Sequence, residues 1–391
     1  MTQAGQSVRR RRLAVVLGIN QTLSWGMTFY LPAVIGAPVA HDLGQSGFAV
    51  IGAFSWSLLL SGFCAPRVGR WIDKHGGKGA LTASILVLAA GQLILAAAPN
   101  LAIWYLGWTV LGVGMAMGLY DAAFATVGTL LGREAGPTIT GITLFAGFAS
   151  TVFWSLGSAL IDYTGWRGLL ALYAALMLAV NLPMVLALAP RLDMNLKETK
   201  PPIAGRAPVG RWMVFCLAGF FTVRWFITSA IAVHVLGLLQ GIGLTAAEAI
   251  VAASMIGPGQ VMGRILEATI GGRMGLLLRA RIGALFFPLG AALLPFGGPV
   301  AAGGFVLLYG MSNGILTINR GTLPLALFGP NGYATVLGWL AVPVQLAQAA
   351  APALAAPFVA AVPALTVLLT AGALGLVAAA LLLPLRLSRQ E

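Results

Sequence analysis

The chain has 391 residues, of which 59% are hydrophobic and 8% charged, whereas soluble domains carry about 25% charged residues. So few charges cannot cover a water-facing surface, so a lipid bilayer must be the solvent for most of the chain. The net charge of +13 would suggest a nucleic-acid partner in a soluble protein. Here no nucleic-acid-reading motif is present, and the basic residues fall in the breaks between apolar runs, where topology signals sit.

A spanning helix needs about 20 mainly apolar residues, and twelve stretches qualify. Span 1 (13–38) follows Arg9–Arg12. It is too long for a signal-peptide core and lacks a clear cleavage site, so it is expected to stay in the membrane. It carries Asn20, Gln21, Ser24, Trp25 and Thr28 on one sector, with Tyr30 further along. Spans 2 (47–67) and 3 (79–98) flank a charged turn, Gly69-Arg70-Trp71-Ile72-Asp73-Lys74-His75-Gly76-Gly77-Lys78. Span 4 (101–130) carries Tyr120, Asp121 and Phe124. Span 5 (136–160) leads through Asp162 and Gly165-Trp166-Arg167 into span 6 (168–189). The stretch 190–211, with Pro201-Pro202 and mixed charge, reads as a linker.

Span 7 (212–240) contains Arg224 near its middle, flanked by Phe220, Phe221 and Thr228, with His234 near the far end. Span 8 (247–268) holds Gly257-Pro258-Gly259-Gln260, a backbone break because proline donates no hydrogen bond. It ends in Gly263-Arg264-Ile265-Leu266-Glu267, followed by Gly271-Gly272-Arg273. This is a second copy of the charged turn, 194 residues after the first. Span 9 (274–296) has few polar residues. Span 10 (300–320) carries Asn313, Thr317 and Arg320, with Asn319 nearby. Span 11 (333–357) carries Pro343, Gln345, Gln348 and Pro352. Span 12 (363–385) is almost wholly apolar. Cys64 and Cys216 lie alone in apolar runs and read as small core residues.

A charged turn repeated at half the chain's length implies a doubled membrane domain. The predicted fold class is therefore all-α, with twelve transmembrane helices in two pseudo-symmetric six-helix bundles, 1–189 and 212–391, joined by the linker. With both termini cytoplasmic, 21 of the 23 Lys and Arg fall on the cytoplasmic side. Only Arg167 falls outside, and Arg224 lies within a span. Positive-inside bias thus supports both the count and the orientation, and residue usage points to a bacterial inner membrane. Arg320 reads here as an anchor near the cytoplasmic end of its span.

A buried charge in a membrane is costly and points to function. Arg224 needs a water-filled site, an acid or an anionic substrate, and its guanidinium fork suits a carboxylate or phosphate. Two readings stand: Arg224 binds the substrate's anionic group, or it pairs with Asp121. Asp121 is a proton or cation site, the partner of a basic residue, or a structural hydrogen-bonding group. The stripe Asn20, Gln21, Trp25 either lines a binding site with Tyr120, Thr228, Asn313 and Gln345, or serves helix–helix hydrogen bonding. His234 could couple protons, or be a satisfied interface residue.

Two six-helix halves and the pattern G-x-x-x-D-[RK]-x-G-[GR]-[KR], matched by Gly69, Asp73, Lys74, Gly76 and Lys78, resemble the major facilitator superfamily over essentially the whole chain. The resemblance implies that this turn is a latch: Asp73 braces a neighbouring helix end, and Gly69 permits close approach. Gly263, Arg264 and Glu267 repeat it in the second half. It also implies that spans 1, 4, 7 and 10 line the transport path, while 3, 6, 9 and 12 face outward. Two departures count against a drug exporter of this superfamily. Trp108 stands where such exporters have an arginine four residues before Gly112, and Phe153-Trp154-Ser155-Leu156-Gly157-Ser158 replaces their Gly-Pro-x-x-Gly-Gly run. The chain looks closer to the oxalate and monocarboxylate branch. The expected function is secondary transport of a small organic, carboxylate-like anion by alternating access, driven by protons or exchange. The alternative is proton-driven efflux of amphipathic compounds. No Walker A sequence, metal-ligand cluster or catalytic set is present, so neither an enzyme nor a cofactor is expected, and a monomer is.

Overall fold

Backbone groups in hydrocarbon must be paired within their own segment, which favours helices for apolar runs of this length. A computed structural model describes residues 3–192, 211–270 and 274–387. Among these residues it has sixteen α-helices and no strand. Most of the expected linker, with Lys197, Lys200, Pro201-Pro202 and Arg206, lies outside the described residues, as do Gly271, Gly272, Arg273 and Arg389.

Among the described residues, eight helical stretches are long and apolar enough to cross a bilayer, one of them the run Leu101–Ala187 that holds spans 4 to 6. Several spans are interrupted. Span 1 is α1 (Gln3–Gly26) and α2 (Pro32–Asp42). Gly26 ends the first piece, and Pro32, which has no N–H, opens the second. Spans 2 and 3 are α3 (Gly47–His75) and α4 (Gly77–Ala96). Span 4 is α5 (Leu101–Gly118) and α6 (Tyr120–Leu131), separated at Leu119, whose backbone is extended.

Span 5 begins as α7 (Gly136–Ala146) and continues into α8 (Ala149–Leu176). Within α8, Gly165 at φ 63° marks the turn into span 6, a conformation glycine adopts without strain. Span 6 then passes through one π turn, Met177–Asn181, into α9 (Leu182–Leu192), where Pro183 removes a helical donor.

Spans 7 and 9 are α10 (Arg211–Gly241) and α13 (Leu276–Ala291). Span 8 is α11 (Ala246–Ser254) and α12 (Ile256–Ile270). The break predicted from Pro258 appears at Met255, just after Ser254, whose carbonyl proline cannot serve. Span 10 is α14 (Gly298–Phe328) and runs eight residues past its predicted end. Arg320 therefore lies inside the helix rather than at its end, its guanidinium 5.1 Å from the Trp225 ring centre. Spans 11 and 12 are α15 (Tyr333–Ala361) and α16 (Ala364–Ala380).

By contact the chain forms two compact units, Met1–Ile203 with Gly329–Val342, and Ala204–Phe328 with Pro343–Glu391. The start of α15, which the sequence placed in the second half, thus packs with the first unit. In that unit α4 and α3 pack on α5, and α1 packs on α7. In the second, α14 packs against α12 and α13, and α16 against α10 and α13. Its buried core includes Phe287, Phe305 and Tyr309. Past the end of α16, Arg281 donates to the carbonyls of Leu382, Leu383 and Leu385 at 3.0–3.3 Å. A guanidinium fork there pairs carbonyls of the non-helical turn that follows the helix.

Candidate functional site

In the first unit, two interrupted helices carry the polar stripe. A break leaves carbonyls without helical donors, and in a membrane these must be paired. The Met27 carbonyl accepts from Gln92 Nε2 at 2.8 Å. The Gly118 carbonyl accepts from Gln21 Nε2 at 2.7 Å, and the Gly114 carbonyl from Ser84 Oγ at 2.8 Å. Gln21 Nε2 also donates to Asn20 Oδ1 at 3.0 Å. Asn20 Nδ2 donates to Asn181 Oδ1 at 2.8 Å, and Asn181 Nδ2 to Ser24 Oγ at 3.3 Å. Asn20, Gln21 and Asn181 are buried. Asn20 and Gln21, expected to line the site, are therefore committed to internal hydrogen bonds.

Trp25 and Tyr120 remain partly exposed. Trp25 Nε1 donates to Gln21 Oε1 at 3.2 Å. Its ring centre lies 4.8 Å from Phe29 and 4.8 Å from Tyr120. Asp121 stands beside Tyr120 in the first turn of α6, half-buried, where the helix dipole favours negative charge. The sequence did not single out Gln92, Ser84 or Asn181. An amide in an apolar run two helices away gives no local sign of the break it serves.

In the second unit Arg224 is 2% exposed. Its Nη1 donates to Thr228 Oγ1 at 2.8 Å and its Nη2 to Asn313 Oδ1 at 2.6 Å. The guanidinium carbon lies 5.1 Å from the Phe287 ring centre and 5.7 Å from that of Tyr309, a cation–π setting. Tyr309 Oη donates to the Thr228 carbonyl at 3.1 Å. Within this unit, among the described residues, no carboxylate lies within ion-pair reach of Arg224, and its Nε has no partner. The structure thus brings Arg224, Thr228 and Asn313 together, and adds two rings from spans 9 and 10 that the sequence reading did not name.

Gln345 is half-buried on α15 beyond Pro343. His234 stands apart from the arginine cluster. Its Nε2 is 3.3 Å from the Pro352 carbonyl, and it borders an apolar cleft of about 230 Å³ with Phe226, Ile231, Leu354, Phe358 and Leu374. Ser229 Oγ donates to the Gln348 carbonyl at 2.8 Å, the group that Pro352 leaves without a helical donor. Among the described residues no His, Cys, Asp and Glu cluster could hold a metal ion.

The charged turns differ. Asp73 Oδ1 accepts from the Ala334 N–H at 3.1 Å. Its Oδ2 accepts from the Thr335 N–H at 2.8 Å and Thr335 Oγ1 at 2.6 Å. It thereby caps the first turn of α15. A Cβ on Gly69 would lie 2.2 Å from the Ala334 carbonyl oxygen, so only glycine allows this approach. Gly76, at φ 80°, ends α3; Lys74 is exposed and Lys78 half-buried.

In the second copy a Cβ on Gly263 would lie 2.3 Å from the Met311 carbonyl oxygen. Glu267 accepts from Arg279 Nη1 at 2.7 Å, so here the acid pairs with a cation rather than capping a helix. Arg264 is 4% exposed, with Nη2 3.4 Å from Gln260 Oε1.

Residues 16–352 match the family model of the Major Facilitator Superfamily. The chain belongs to this superfamily. Superfamily membership makes it an integral membrane transport protein rather than an enzyme. It is 24% identical over 369 residues to a gentisate transporter of Corynebacterium glutamicum, covering 88% of this chain and 81% of that one. Superfamily structures share its fold. The human organic anion transporter MFSD10 (TETRAN) aligns with a TM-score of 0.75 at 17% identity, over 95% of this chain and 99% of the other. FucP in its outward conformation aligns at 0.69 and 16%, over 94% and 97%.

Proposed function

We propose that this superfamily member is a secondary transporter of a small organic anion, and that Arg224 binds the anionic group. One observation carries the reading: a guanidinium buried at mid-span has two nitrogens held by neutral acceptors, no carboxylate within ion-pair reach among the described residues of its own unit, and an unpartnered Nε. Placing an arginine at the centre of a membrane costs about 2.5–3.5 kcal/mol on insertion scales. An anion in the site offsets that cost by replacing neutral acceptors with a charge-assisted bond. Phe287 and Tyr309 flank the guanidinium, and Asn313 and Thr228 fix its fork. The similarity to a gentisate transporter supports the same substrate charge.

Asp121 is the proposed coupling group, since an ionisable side chain within a membrane span is costly and points to function. Transport runs by alternating access between the two halves, coupled to protons or to a counter-solute, and the Asp73 cap holds one access state. The protein acts as a monomer in a bacterial inner membrane with both termini cytoplasmic.

The test is uptake of radiolabelled carboxylates into proteoliposomes with and without a pH gradient, compared with neutral and cationic solutes. Wild type is expected to favour carboxylates. Arg224→Lys keeps the charge but loses the fork, so apparent affinity should fall roughly tenfold or more, the equivalent of about 1.4 kcal/mol. An unchanged affinity removes Arg224 from the substrate site.

A further inference from the structure

The apolar cleft beside His234 lies wholly within the second unit and takes no part in the arginine cluster. One side is α10 from Phe226 to Leu238, a rise of about 18 Å at roughly 1.5 Å per residue. Leu238 is near the end of α10 at Gly241, and Phe226 is next but one to Arg224 at mid-span. The cleft therefore runs from one membrane boundary to the region of the bilayer centre, close to the ~15 Å of one leaflet's hydrocarbon. Its other sides are α16 and the stretch of α15 that holds Pro352 and Pro357. Each proline removes a helical hydrogen bond, the common origin of a bend that keeps neighbouring helices from closing on each other.

The lining is graded in exposure and uniform in chemistry. Ile227, Ile231 and Val367 form a buried inner wall, and Leu354, Phe358 and Leu374 form an exposed mouth. Thr370 stands at the mouth. His234 is the one ionisable side chain of the lining, and its Nε2 is engaged by the Pro352 carbonyl at 3.3 Å. Among the described residues the lining has no Lys or Arg to hold a carboxylate or phosphate.

The mouth is continuous with a surface that meets lipid. α16 has no charged residue, packs on α10 and α13, and leaves Leu369, Leu376 and Val377 exposed. In an integral membrane protein an apolar face of this kind contacts acyl chains. Water entering the cleft would find almost no polar partner, and an empty slot would forfeit dispersion contacts along its walls. At about 230 Å³ the cleft is smaller than the ~300–1,000 Å³ of most small-molecule sites. It is long for its volume, which is the shape of one alkyl chain.

We infer that this cleft is a binding site for one acyl chain of a bilayer phospholipid, which enters between α15 and α16 with its headgroup at the boundary near Leu238. The site is separate from the anion reading and does not depend on Arg224. A phospholipid fits better than a free fatty acid, because its headgroup stays at the interface and asks for no cation in the cleft.

The experiment places in proteoliposomes a phosphatidylcholine with a photoactivatable diazirine midway along one acyl chain. After irradiation, mass spectrometry of the digested full chain maps the adducts. They are expected on Ile227 and Ile231 of the inner wall, as well as on exposed side chains such as Leu285 and Leu289 of α13. Ala355→Phe fills the cleft from α15 and Ala371→Phe fills it from α16. Each should lower inner-wall labelling roughly tenfold, the equivalent of about 1.4 kcal/mol, and leave α13 labelling unchanged, which a misfolded protein would not do. A wild-type pattern confined to exposed side chains overturns the site, and so does inner-wall labelling that both substitutions leave in place. A free fatty acid carrying the same diazirine forms the second arm. Inner-wall adducts from the fatty acid, with none from the phospholipid, assign the cleft to a free amphiphile and overturn the phospholipid reading. None of these outcomes bears on anion binding at Arg224, so the two readings stand or fall apart.

Discussion

Both oxygens of Asp73 accept from the first turn of α15, through two backbone N–H groups and one hydroxyl. Asp73→Asn keeps the shape and one acceptor, but turns an NH2 towards donors and removes the charge that the helix terminus favours. Loss of a cap costs about 0.5–2 kcal/mol, and with repulsion added the change should reach the upper part of that range. Thermal unfolding in detergent should show a lower melting temperature, and Asp73→Ser should recover little because its single short oxygen cannot reach all three donors. At Arg224 the logic runs through satisfaction. Asn313→Ala removes the 2.6 Å partner of Nη2 and leaves a buried charged group short of an acceptor, at about 1–3 kcal/mol. A bound carboxylate can supply the missing acceptor, so this variant should be stabilised more by saturating substrate than wild type is.

The interrupted spans 1 and 4 raise the question of what offsets a break in hydrocarbon, and in both the answer is a carboxamide. Gln21 is bonded at both ends, to the Gly118 carbonyl and Asn20 through Nε2 and to Trp25 through Oε1. Gln92 is bonded at one end only, to the Met27 carbonyl, while its Oε1 is buried and unpartnered. Replacing either by Leu strands a carbonyl, at about 1–3 kcal/mol. In Gln92→Leu that loss is partly offset by removal of an unsatisfied oxygen. Gln21→Leu should therefore lower the melting temperature more than Gln92→Leu, and an equal effect would mean that the breaks relax once their amide is gone. These elements also show where sequence reading stops. Pro258 announced the break in span 8 because a missing N–H is a local fact. Nothing local announced Leu119. That break depends on an amide from another helix, and the pattern Gly112, Gly114, Gly118 is equally compatible with close packing. Arg320 shows a related limit. Apolar runs show where a helix enters lipid, but a helix can continue past its apolar end, and α14 does so through Phe328.

At the scale of the whole molecule, the doubling was legible because repeated turns and spans leave repeated letters, whereas the divergence of the two turns was not. Asp73 and Glu267 stand at matching positions, yet one caps a helix and the other neutralises Arg279, because the partner is chosen by tertiary neighbours. The assignment of Arg167 as the one basic residue outside the topology pattern leads to a last prediction. Arg167 donates to Asp42 at the end of α2 and to the Ala98 carbonyl after α4 at 3.0 Å, and its guanidinium carbon lies 4.0 Å from the Trp166 ring centre. It thus joins the ends of spans 1, 3 and 6. The hydrogen bond from Arg167 holds the Asp42 carboxyl below its ordinary value. A carboxyl depressed in the folded state contributes stability above its unfolded pKa, near 3.9, and loses it as pH falls through the folded value. Melting temperature should therefore decline on acidification below about pH 4, with part of the decline due to this tie. Arg167→Gln keeps a donor for Ala98 but removes the charge, so its melting temperature should start lower near neutrality and converge on wild type in acid. Parallel curves across that window would mean that Asp42 titrates alike in folded and unfolded chains, and that the tie works through the Ala98 carbonyl and Trp166 alone.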